Sequence, residues 1–113
     1  MSKAHDNLVA ARALIADPLR WTQASYARNA HGDQAAIGSD EACQWCGLGA
    51  IYRQSDRFSD GGRDHWVPGL EELTAAGIAE SKDPYFQRID VINDTHGHAA
   101  VMRVYDRAIE ATA

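Results

Sequence analysis

Apolar residues recur at helical spacing at both ends of the chain, and the polar and glycine-rich stretches between them mark the joints. In AHDNLVAARALIA, residues 4–16, Leu8, Ala11 or Arg12, and Ile15 fall on one face, and Asp17-Pro18 ends the pattern. Near the other end, Val101, Val104, Tyr105 and Ala108 follow i, i+3, i+4, i+7, which predicts a helix over roughly 97–111. Asn93-Asp94-Thr95 supplies residues suited to cap it.

The middle of the chain alternates between the two periods. RWTQASYARNAHGDQAAIG reads as strand, turn, strand around Asn29–Asp33, which places a short β-hairpin at about 21–37 with Trp21 anchoring one end. Ser39 or Asp40 then caps a helix expected from Glu41 to about Gln54. Residues 55–69 are polar and glycine-rich and read as a loop. Pro68 heads a third helix with Leu70, Leu73 and Gly77 on its inner stripe. Phe86, Ile89 and Ile92 recur every three residues, so 84–92 is read as a short helix. The sum is a mainly α (α+β) fold: four to five helices around one core, with one short hairpin.

Length and composition add bounds. At 113 residues the chain is expected to form a single globular domain, 1–113, large enough for a core without disulfide or metal staples. Apolar residues at 45% and charged residues at 24% are those of an average soluble protein. No apolar run approaches a membrane span, and the N-terminus lacks the apolar stretch of a signal peptide, so a cytoplasmic setting without membrane contact is expected. Residues 38–113 carry seven Lys/Arg against thirteen Asp/Glu, a net of −6, whereas residues 1–37 are near neutral. No basic patch stands out, which argues against nucleic acid as a partner.

Both cysteines lie in EACQWCGLGA, residues 41–50, and the stretch admits three readings. Cys43-x-x-Cys46-Gly47 is half of a zinc knuckle, for which only His96 and His98 offer a matching second pair. Alternatively Cys46 is a nucleophile, with His96 or His98 as base and Asp94 as orienter. In the third reading Ala42, Cys46, Gly49 and Ala50 form a small-residue helix face packed closely against a neighbour. Glycine inside a helix costs about 1 kcal/mol against alanine, and close approach supplies the reason for it. Packing is the favoured reading, so neither a cofactor nor a metal is expected.

Trp45-Cys46-x-x-Gly49-Ala50 is preceded by Trp21-Thr22-Gln23 and Tyr26-Ala27-Arg28, and followed by Asn93-Asp94 and a last helix ending Asp106-Arg107-Ala108-Ile109. In that order these motifs resemble a family of small bacterial and phage-borne proteins catalogued only as a domain of unknown function. The resemblance runs from about Leu8 to Ile109 and implies no particular activity. It attaches to Trp45-Cys46 and lends the zinc knuckle no support.

Three further features bear on function. Asp94, His96 and His98 are able to hold a divalent metal or act as acid and base, although helix capping explains the Asn-Asp-Thr run without further assumption. Trp66, among charged residues in a glycine-rich loop, is either an anchor or a surface for a partner. Arg20, Trp21 and Arg28 on the hairpin either recognise an anion or, the favoured reading, form an exposed charged strand edge. No phosphate loop, Ser-His-Asp pattern or paired-carboxylate motif is present. The expectation is therefore a non-catalytic interaction or accessory module, conceivably phage-associated, that binds a protein partner or itself as a homodimer. Its binding residues would be Trp66, Trp21 and Arg28. The rival is a Cys/His or metal-dependent enzyme using Cys46, Asp94, His96 and His98.

Overall fold

The computed structural model describes residues 2–54, 67–81 and 89–113. Among them are five α-helices and one two-stranded antiparallel sheet: α1 (Lys3–Ile15), β1 (Ala27–Arg28), β2 (Gln44–Trp45), α2 (Gly47–Tyr52), α3 (Leu70–Glu80), α4 (Ile89–His96) and α5 (His98–Thr112). A single 3₁₀ turn, Pro18–Arg20, follows α1. None of these helices is long and apolar enough to cross a membrane.

The two periodic ends behave as their patterns dictate. Ser2 Oγ caps α1 by accepting from His5 N at 3.1 Å, and Leu8, Ala11 and Ile15 are fully buried. On α5, Val101, Val104, Tyr105 and Ala108 are buried completely. That helix packs on α1, α3 and α4, so the last helix closes the core. On α3, Leu73, Ala76 and Gly77 face inward, and Arg103 and Arg107 of α5 hold Glu80 at 2.9 and 3.2 Å at the edge of that contact.

The central segment departs from the reading of its sequence. Its turn stands where expected: Asn29 N donates to Asp33 O, Gly32 N to Asn29 O, and Gly32 takes the positive φ of +83° that the turn requires. A single bridge, Arg28 to Gln34, closes it. The two-residue partner of β1 comes instead from Gln44–Trp45, in register Ala27 with Trp45 and Arg28 with Gln44. Trp21 adds a parallel bridge on the far side of Trp45, where Thr22 N donates to Trp45 O at 3.1 Å. The small sheet therefore gathers four stretches of backbone, at residues 21, 27–28, 34 and 44–45.

The expected helix over 41–54 is corrected accordingly. Within its first half Gln44–Trp45 pair as strand β2, and helix α2 starts only at Gly47, with Cys46 as its N-cap at an extended ψ of 174°. Cys46 Sγ accepts from Gly49 N at 3.2 Å. Backbone pairing with a distant strand thus overrode the local helical spacing of Ala42, Cys46, Gly49 and Ala50. Every residue of α2 is buried. Gly49 does lie at a close approach, but against the backbone of Tyr26 and not against another helix. A Cβ there would sit on the Tyr26 carbonyl oxygen, far inside van der Waals contact.

Candidate functional site

Helix α4 carries the residues that shape the site. Ile89, Ile92 and Asn93 form its buried face, at i, i+3, i+4, so Asn93 is placed among apolar neighbours and is fully buried. Its amide is fully used. Oδ1 accepts from Trp21 Nε1 at 2.6 Å and from Gly47 N at 2.8 Å, while Nδ2 donates to Thr22 O at 2.9 Å and to Asp94 Oδ1 at 3.1 Å. Gln23 Nε2 adds a bond to the Asn93 carbonyl at 3.0 Å. A buried polar group of this kind is tolerable only when its partners are in place. Asn93 and Asp94 therefore lie inside α4 as pins for the 21–24 segment, not as caps of α5, whose N-cap is Gly97.

Asp94 continues the pinning. Its Oδ1 accepts from Ala24 N at 2.9 Å, and Ala24 holds a left-handed φ of 64°, unusual for a residue with a side chain. The held loop, the row Gln34–Ile37 and helix α4 enclose a cleft of about 430 Å³. Small apolar side chains, Ala24, Ala27, Ala35 and Ala36, line it together with Cys46, Asp90 and Asp94.

Cys46 is 4% exposed, and the pKa of its thiol is pushed up to about 11. Burial is the main cause; the N–H groups of Gly49 and Leu48 oppose it, and the charges of Asp94 and Asp90 reinforce it. The helix-start position that activates other thiols is present here, yet desolvation outweighs it. Beneath the thiol, the Tyr105 hydroxyl donates to Gly47 O at 2.6 Å, and burial raises that phenol's pKa well above its ordinary value as well.

The remaining residues singled out by sequence are dispersed. His98 Nε2 lies 2.7 Å from the Ile15 carbonyl, which only accepts, so this nitrogen carries the proton. The His98 ring meets Trp21 edge to face at 5.4 Å between centroids. His96 lines a separate cavity of about 270 Å³ with Glu80, Ile92 and Arg103. Cys43 is half-buried with its N–H on Arg28 O at 2.9 Å, and both cysteines are free thiols. Among the described residues no three His, Cys, Asp or Glu side chains stand together as a metal-binding group. The Arg28 guanidinium donates to Thr22 Oγ1, Gly32 O and Gln23 O, and the Trp21 indole to Asn93, so both side chains brace the loop. Trp66 lies outside the described residues.

Two residues of the site escaped the sequence reading, Asp90 and Asn93 in its buried role. The Ile89, Ile92, Asn93 spacing was the available signal, because it sets an amide on an apolar stripe. Nothing local marks Ala24 or the alanines of the cleft wall.

The chain belongs to a family of unknown function, DUF6197, which it matches over residues 1–111. No curated protein and no solved structure matches it.

Proposed function

We propose that this member of DUF6197 is a small non-catalytic interaction module that receives a macromolecular partner at the cleft beside Asp94. One observation carries the reading: an open cleft of about 430 Å³ has at its floor a thiol that burial keeps protonated. The volume lies within the range of about 300–1,000 Å³ usual for ligand clefts. The nucleophile within reach is the reverse of activated, since a reactive cysteine needs a lowered pKa. Cys46 and His96 line different cavities and His98 Nε2 is engaged with Ile15, which weighs against the Cys/His enzyme. Two free thiols support a reducing, cytoplasmic setting as part of the same proposal.

The test is a matched pair of affinity purifications from the native host, with the wild-type chain and with Ala36→Trp, which fills the cleft. A protein retained stoichiometrically by the wild type, lost with Ala36→Trp and rebound from purified components supports the reading. Identical retention by both chains overturns it. Light scattering of each chain alone separates self-association from a foreign partner.

A further inference from the structure

We draw no further inference here: the strongest candidate, the outward face of α1 on which Val9, Ala10, Ala13 and Ala16 are exposed, with Leu19 just beyond its end, is an apolar surface patch, but nothing in the structure shows what covers it.

Discussion

Asn93 Oδ1 lies 2.6 Å from the indole nitrogen of Trp21, a bond between residues 72 positions apart that fastens the entrance of the sheet to α4. The same oxygen holds Gly47 N, and the same amide holds Thr22 O. Replacing Asn93 by Ala leaves two donors and an acceptor without partners in a dry setting. Each such group costs about 1–3 kcal/mol, so a loss of about 3 kcal/mol or more is expected. Urea denaturation measures it. A loss below 1 kcal/mol would show that water satisfies those groups instead.

Gly49 and Gly47 should respond differently to alanine. At Gly49 the new methyl meets the Tyr26 carbonyl, a piece of backbone held by the Cys46 N–H. At Gly47 it meets Ile89 Cγ1 and Val101 Cγ1 at 3.0 Å, side-chain atoms with some freedom to move. Gly49→Ala is expected to cost about 3 kcal/mol or to prevent folding, and Gly47→Ala about 1–2 kcal/mol, by analogy with overpacked cores. Thermal melts of the two variants side by side decide it, and equal melting temperatures would refute the distinction.

Cys46 makes stability sensitive to alkali. Its folded pKa is raised to about 11 from the ordinary thiol value of 9.0, so the unfolded chain releases its proton first as pH rises. The stabilisation is complete below the unfolded pKa, falls as pH climbs from there, and is lost above about 11. Two pKa units correspond to roughly 2–3 kcal/mol. Cys46→Ala should flatten the part of this limb that begins near pH 9, leaving the part from about pH 10 upward that belongs to Tyr105. In the native chain iodoacetamide should label the half-buried Cys43 well before Cys46, as peptide mass mapping will reveal.

Glu80 works at the other end of the scale. Its bond to Arg103, chiefly, and that to Arg107 lower its carboxyl pKa. The help it gives is therefore present above the ordinary carboxylate range and disappears as pH falls through the lowered value. Glu80→Gln should be less stable than the native chain at neutral pH and converge on it in acid. The arginines are largely exposed, so the difference should shrink in high salt.

Tyr105→Phe removes the donor to Gly47 O without changing much volume. A stability loss of about 1–2 kcal/mol is expected, the usual consequence of stranding one buried carbonyl. Urea titration again provides the measurement, and a neutral result would mean that the carbonyl finds another partner.

Sequence reading served best where one helical face meets the core directly. Leu8, Ala11 and Ile15, and Val101 to Ala108, declare α1 and α5 because burial alone selects those positions. It misplaced what depends on distant backbone. Gln44 and Trp45 have spacing compatible with a helix, and only Ala27 and Arg28, far back in the chain, draw them into a ladder. Asn93-Asp94 looked like a cap because local chemistry explains those residue types equally well. Their true partners, Trp21 to Ala24, are some seventy residues away. The cleft was invisible for the same reason: its alanines come from two separate segments, 24–27 and 34–37, set against Cys46 and α4.

The pinning of residues 21–24 by α4 also orders events at the ribosome. Trp21 and Ala24 emerge long before Asn93 and Asp94, and until those arrive the indole lacks its acceptor and the left-handed turn lacks its anchor. The apolar faces of α1 and α3 likewise wait for α5. Long-range closure of this kind is slow and exposes apolar surface meanwhile. A nascent chain stalled before residue 89 therefore offers proteases and chaperones an uncovered core, and its cleft lacks the wall that α4 supplies.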